Sequence, residues 1–363
     1  MKKTVSAVII LFIFIAFIYL LSSEKSSGDE VPETEKSITI AAVGDIVMGN
    51  TYPYDNLPPE DGKRLFDPAE TILSSADIAM GNLECALLDK GALVKNVVEG
   101  KSYAFKTPEK YGLNLRNAGF DVLNIANNHI RDFGEKGLLR TREILDSLGI
   151  KHTGFLNETA FFKKDSMKVA VMGFSSYPGM NNILCPDVSF QEIRELSDSG
   201  YIVIVTFHGG MEGKNACHVF DTVEYMYGEL RGNIYRFCRD AVDAGADAVI
   251  GHGPHVPRGI ELYKGRLIAY SLGNFLTYAG ININGINGYA PILEITLNEK
   301  GEFETGKIHS FIQVRGEGIK KDVLNSAAIL MSELSASDFE ANKITIDSLG
   351  IITKTIETFK EKK

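Results

Sequence analysis

Apolar residues along the chain fall into short, almost unbroken runs, each closed by polar groups. The runs are Ser37 to Val43, Ile78 to Met80, Val122 to Ile125, Lys168 to Phe174, Tyr201 to Phe207, Ala248 to Ile250 and Leu267 to Tyr270. Runs of this length, apolar on both faces and rich in Val and Ile, predict central strands covered on both sides. Between them lie stretches with helical spacing of apolar positions: Phe66 to Ser75, Glu109 to Ala118, Glu135 to Leu148 and Asn233 to Ala244. Strand followed by helix, repeated, predicts an α/β fold built on parallel strands. Three junctions share one form. Leu73 to Asp77, Leu115 to Asp121 and Val242 to Asp247 each close a helix, place an Asp and enter a short strand. Their spacing is irregular, so they read as successive units of one sheet rather than a solenoid.

Later the pattern changes. Pro291 to Leu297 alternates as a half-exposed strand, and Phe303 to Val314 is expected to pair with it antiparallel. After Gly318 the signal weakens. Asp322 to Leu334 suggests a helix, and residues 316–363 read as a peripheral appendage.

The first residues follow another rule. Lys2 and Lys3 precede Val5 to Leu21, a run with no charge and one Ser. Residues 1–21 are expected to be a single-pass membrane anchor or a signal peptide. The two lysines would stay inside and the rest of the chain outside the cytoplasm. Residues 22–36, rich in Ser, Glu and Lys, read as a linker.

Composition narrows the classes. In 363 residues, 44% are hydrophobic and 23% charged, which supports a large buried core. The net charge of −9 argues against nucleic acid as a partner. Four cysteines show no CxxC spacing, so no zinc-finger frame exists. Cys185 and Cys217 either pair in an oxidising compartment or stay free thiols.

The candidate chemistry sits where the strands end, the place where open α/β sheets bind ligands. Asp45 follows the first run, and Asn82-Leu83-Glu84 the second. Asn127-Asn128-His129, with Asp132 three residues on, follows Ile125. His208-Gly209-Gly210, then Gly251-His252-Gly253-Pro254-His255, and finally Ser271 to Phe275, follow the later runs. Carboxylates, imidazoles and amide oxygens are metal ligands, and an imidazole beside a carboxylate also moves protons. Each has an ordinary reading too: Gly-Asp makes turns, and lone histidines fill cores. Four of seven histidines at strand ends favour one shared site.

These six motifs, in this order, resemble the bacterial capsule-synthesis family, CapA or PGA_cap, itself similar to the calcineurin-like metallophosphoesterases. The resemblance covers about residues 37–315. It implies a four-layer α/β/β/α sandwich and a site for one or two divalent ions, Mn, Fe or Zn. It implies Asp45, Glu84, Asn128, His208, His252 and His255 as ligands, with Glu84 bridging. It implies His129 as proton donor to a leaving group, held by Asp132. Arg258 is a candidate anion clamp, and Asn274 a substrate contact or a supporting turn. The chain departs from the phosphoesterase pattern in places. Val47 stands where Asp-x-His has its His, Glu84 replaces a bridging Asp, and His252 and His255 are spaced by two residues.

Two functions are then open: an anchored, outward-facing metal-dependent hydrolase acting on capsule, poly-γ-glutamate or another envelope polymer, or a non-catalytic accessory of a polymer synthesis or export complex.

Overall fold

Strand Ser37–Val47 is the axis of the larger of two main sheets. It pairs in parallel with Ile78–Leu83, antiparallel with Ile292–Asn298, and by its last residues in parallel with Asn274–Thr277. The parallel side continues to Val122–Asn124 and Lys151–Thr153. The antiparallel side continues to Phe303–His309, Ile351–Lys354 and Ile344–Ile346, making nine strands. The second sheet has six strands, in the order Ile260–Tyr263, Arg266–Ala269, Ala248–His252, Tyr201–His208, Met167–Ser175 and Ala160–Lys164. This computed structural model describes residues 36–278 and 280–355. The predicted anchor, and the linker up to residue 35, lie outside the described residues. No helix among the described residues is long and apolar enough to cross a membrane.

The alternation of side chains along the strands makes the layers. In the first strand Ile38, Ile40 and Ala42 point one way, and Ala41 and Val43 the other, as a pleated strand requires. The first set meets Val169, Ile204 and Ile250 of the second sheet in a core between the sheets. The second set meets Leu73, Leu115, Leu138 and Leu145, from the helices Glu70–Ser75, Gly112–Ala118 and Gly134–Ser147. On the far side, Val203 and Val205 pack under Phe190, Ile193, Phe237 and Ala241, from the helices Asp187–Asp198 and Ile234–Asp243. Helix, sheet, sheet, helix is the four-layer α/β/β/α sandwich.

Sequence and structure differ at element ends. The helix expected from Phe66 begins only at Glu70. That expected from Glu109 opens with a 3-10 turn, Glu109–Tyr111, before Gly112. Cys185 and Cys217 are free thiols, the first exposed. The largest difference is at the C-terminal side. Residues 316–355 are integral to the domain rather than an appendage. Ile351–Lys354 pairs with Phe303–His309, so the segment extends the nine-stranded sheet. Helix Ser326–Asp338 sends Ala328 and Met331 into the core between the sheets. Ser335 Oγ accepts from Ile260 N at 2.7 Å and Asn342 Oδ1 from Leu262 N at 3.1 Å, tying the edge of the second sheet.

Met331 is fully buried in that core. Met331→Ala is therefore expected to destabilise the fold by about 2–5 kcal/mol. Denaturant unfolding measures it, and an unchanged midpoint would remove this helix from the core.

Candidate metal centre

Close backbone packing brings the motifs together. A Cβ on Gly44 would stand 2.0 Å from the carbonyl oxygen of Gly273. That same oxygen accepts from Asp45 N at 2.9 Å, so the first motif is locked to the last. Gly253 has φ +112, and a Cβ there would stand 2.7 Å from Gly209 O. Gly209 N in turn donates to His252 O at 2.9 Å. Only glycine permits these two contacts. Within the sheets, Asp45 is register partner of both Asn82 and Asn274, and His252 of His208.

The result is a buried polar cluster where both sheets end. Asp45, Glu84, His208 and His252 have no exposed surface. Asp45, Glu84 and His208 each offer one ligand atom, all within 4.8 Å of one another. Glu84 Oε1 lies 3.6 Å from His208 Nε2, 3.7 Å from His255 Nε2 and 3.9 Å from His129 Nε2. His252 Nδ1 lies 3.9 Å from Asp45 Oδ1, and His255 Nδ1 3.0 Å from Asp45 Oδ2. Three ligand candidates come from the nine-stranded sheet and its loops: Asp45, Glu84 and Asn128. Three come from the other: His208, His252 and His255.

The cluster fits a cation because its polar atoms lack partners. Both Glu84 carboxylate oxygens, His208 Nε2, both His252 ring nitrogens and Asn128 Oδ1 are buried with no hydrogen bond. Each such orphan costs roughly 1–3 kcal/mol, which a divalent ion would offset. The neighbouring amide shows the contrast. Asn127 Oδ1 accepts from the backbone of His129 and Ile130, and its Nδ2 donates to Leu83 O and Asn82 Oδ1. Asn127 is spent on the turn, and Asn128 is left for a ligand.

Asn82 has a role that its motif alone does not disclose. Its Nδ2 donates to Asp45 Oδ1 at 2.8 Å and lies 3.1 Å from His208 Nδ1. Its Oδ1 accepts from Asn124 and Asn127. It orients one carboxylate and one imidazole at once. The signal is present in sequence: two residues before Glu84, it falls on the same side of the strand.

Protonation follows burial and charge. Burial pushes the Asp45 carboxyl up, but the His255 hydrogen bond and the nearby imidazoles hold it down at about 2. Burial, together with the Asp45 charge, pushes Glu84 well above the usual carboxylate range. Burial keeps His208 and His252 neutral, the latter at about 4. Burial also opposes charge on His255, but Glu84 and Asp45 outweigh it and raise it to about 10. Without metal, a proton on His255 stands where a cation's charge would be. Metal uptake must displace that proton. Glu84 is also pushed toward its protonated form, so uptake displaces protons from both groups, and affinity is expected to rise at least tenfold per pH unit from neutral pH up to about 10, where His255 loses its proton anyway. Calorimetric metal titrations at several pH values read this, and affinity independent of pH would refute it.

Beside the cluster stands the proton-transfer pair. His129 Nδ1 donates to Asp132 Oδ2 at 2.8 Å. That oxygen also accepts from Phe105 N at 2.8 Å, and Phe105 packs its ring 4.3 Å from the imidazole. Asp132 Oδ1 pairs with Lys95 Nζ at 2.9 Å. Lys95 comes from the loop between the short strands Ala86–Leu87 and Lys106–Thr107. That loop is pinned where Val94 N and Lys95 N both donate to Asp132 O. Burial lowers the His129 pKa, and Asp132 opposes the shift.

Asn274 supports His255: its Oδ1 lies 3.0 Å from His255 Nδ1, and its Nδ2 donates to the His255 carbonyl at 3.2 Å. Arg258 is not an anion clamp. It is 1% exposed, and its guanidinium is filled by Glu224, at 3.0 and 2.7 Å, and by Ala216 O. It anchors the loop after Gly210. Val47 is buried in the apolar layer under the helices and offers no ligand. His152, His218 and His309 pair with carboxylates elsewhere, His218 with Asp338.

Two facing sheets between helix layers, with carboxylates, imidazoles and amides gathered at their strand ends, make this a four-layer α/β protein with a candidate metal centre. The chain belongs to the bacterial capsule synthesis protein PGA_cap family, whose profile matches residues 39–279. It is 26% identical to the PGA biosynthesis protein CapA of Bacillus subtilis (strain 168), over 95% of this chain and 93% of the relative. It is 28% identical to the capsule biosynthesis protein CapA of Bacillus anthracis, over 74% of this chain and 66% of the relative. Among solved structures it is similar to a hypothetical protein from Thermus thermophilus, with TM-score 0.46 and 15% identity over 76% of this chain and 99% of that one. It is also similar to the calcineurin-like phosphoesterase YfkN from Bacillus subtilis, with TM-score 0.41 and 12% identity over 79% and 88% of the two chains.

Proposed function

We propose that this chain is a metal-dependent phosphoester hydrolase, anchored by its N-terminal apolar run and facing out of the cytoplasm. Its role is in capsule, poly-γ-glutamate or other envelope-polymer metabolism. The observation that carries the reading is the pairing of orphaned ligand atoms with a separate proton-transfer pair. A structural ion would use Glu84, His208 and His252 without needing His129–Asp132. Asp45, Glu84, Asn128, His208, His252 and His255 would hold manganese, iron or zinc, a donor set that suits all three. A bound divalent ion supplies Lewis acidity and neutralises phosphate charge.

The chain's own residues do the rest. His129 lines a cavity of about 590 Å³ together with Lys95, Asn128 and His255. Its Nδ1 proton is held by Asp132, so Nε2 is the atom that exchanges a proton with a leaving oxygen. Phe105 keeps the ring in place and shields it from water. Asp132, which also pairs with Lys95 Nζ at 2.9 Å, stabilises the imidazolium while the proton is there.

The second reading, a non-catalytic accessory of a polymer-synthesis complex, draws on Val47, which supplies no ligand at its position, and on the names of the curated relatives. Metal content and hydrolysis of phosphate mono- and diesters by the full-length protein separate the two. Metal with turnover supports the enzyme. Metal without turnover on any ester moves the protein to the accessory role.

A further inference from the structure

Among the six ligand candidates only His255 has an unusual backbone. Its φ is +57, in the left-handed region that a residue with a Cβ holds only where its surroundings impose it. Those surroundings are specific. Pro254 O accepts from Gly213 N at 2.8 Å, and Val256 O from Ser271 Oγ at 2.8 Å. The carbonyl between them, that of His255 itself, accepts from two side-chain amides: Asn274 Nδ2 at 3.2 Å and Asn287 Nδ2 at 3.1 Å. A carbonyl oxygen has two lone pairs, and these two donors fill them. Asn274 Nδ2 also donates to Asn287 O at 3.0 Å, which ties the two asparagines together.

The two amides reach His255 from different places. Asn274 opens the short strand Asn274–Thr277 and is in register with Asp45. Asn287 sits in the 3-10 turn Gly285–Gly288, outside every strand-end motif, and is only 4% exposed. Burying an amide is costly unless it is hydrogen-bonded, so the bond to His255 O accounts for a polar side chain at this position.

The hold on the carbonyl decides where the ring points. His255 Nδ1 lies 3.0 Å from both Asp45 Oδ2 and Asn274 Oδ1. Both are acceptors, so Nδ1 carries a proton, and Nε2 is left facing Glu84 Oε1 at 3.7 Å. With an extended or right-handed backbone, residue 255 would send its Cβ, and with it Nε2, in another direction. We propose that Asn287 is a positioning residue for the metal centre: its amide holds the His255 carbonyl and so keeps the left-handed backbone that aims Nε2 at the ion. The proposal rests on the reading of His255 as a ligand.

Titration of the full-length protein in detergent with cobalt(II) alone, followed by calorimetry and visible absorption, tests it without turnover. Two variants remove the donor: Asn287→Ala, and Asn287→Leu, which keeps the branched shape. Both are expected to bind cobalt about tenfold or more weakly, with an altered absorption per bound ion. Asn284→Ala, at an exposed position on the same loop, is expected to change neither. In metal-free crystals of both Asn287 variants, residue 255 is expected to leave the left-handed region. Unchanged cobalt affinity in both variants would overturn the proposal, as would residue 255 still at positive φ in both. An equal loss in Asn284→Ala would do so too, because the loop and not the amide would then matter. Wild-type protein that takes up no cobalt would remove the ligand reading instead. The conformation of residue 255 in the two variants would then still decide whether Asn287 holds it.

Discussion

His252→Ala protein is expected to fold and to lose its metal. Neither ring nitrogen of His252 has a hydrogen-bond partner, so removing the ring breaks no polar contact of the metal-free fold. What it removes is a ligand set 3.9 Å from Asp45 Oδ1, in register with His208 on the neighbouring strand. Loss of even an outer-shell partner costs about 10–100-fold in metal affinity, so loss of a direct ligand is expected to cost roughly 100-fold or more. Metal analysis after dialysis against dilute chelator reads the effect. His152→Ala is the control, because His152 pairs with Asp146 and Glu158 far along the chain from any strand-end motif. Equal metal in both variants would dismantle the site.

His129→Ala is expected to do the opposite, keeping metal and losing turnover by about 10²–10⁴-fold. The ring is held by Asp132 at 2.8 Å and lies 3.9 Å from Glu84, beside the ligand cluster rather than inside it. The loss should depend on the leaving group. An alkyl phosphate, whose alkoxide needs a proton, should suffer the full drop. A nitrophenyl phosphate, whose leaving group departs without one, should suffer much less. Equal losses on both esters would show that His129 serves binding and not proton transfer. Asp132→Asn is expected to follow the same pattern more weakly, since the imidazole remains while its orientation and stabilising charge are lost.

The parts of this molecule that are legible in sequence are those set by local pattern. Seven apolar runs become central strands, because parallel strands covered on both faces cannot carry polar residues in their middle. The motifs at their ends are legible for the same reason: polar residues after an apolar run must sit where the sheet stops. What is illegible depends on distant chain. Arg258 follows the His255 motif and looks like an anion clamp until Glu224, from a hairpin more than thirty residues earlier, fills its guanidinium. Lys95 lies in a loop with no pattern, and only the fold brings it to Asp132. The C-terminal strands are three and four residues long and partly exposed, so their pairing with Phe303–His309 leaves little trace in hydropathy. Helix Ser326–Asp338 opens with five apolar residues in succession, Ala327 to Met331, which blurs the periodicity that would have revealed its inner face.

The division of ligands between the two sheets bears on when the centre comes into being. Asp45, Glu84 and Asn128 all precede Ala160, where the second sheet begins, and His208, His252 and His255 all follow it. A nascent chain that has completed only its first half owns three oxygen donors and no imidazole from the set. Such a half-site resembles what hard, abundant cations such as magnesium or calcium favour, yet it lacks the enclosure to retain them. Selectivity for a transition ion is then postponed until the second sheet docks and adds its nitrogen donors. The centre is thus a late product of folding, and loading with metal becomes a report that both halves of the domain have met.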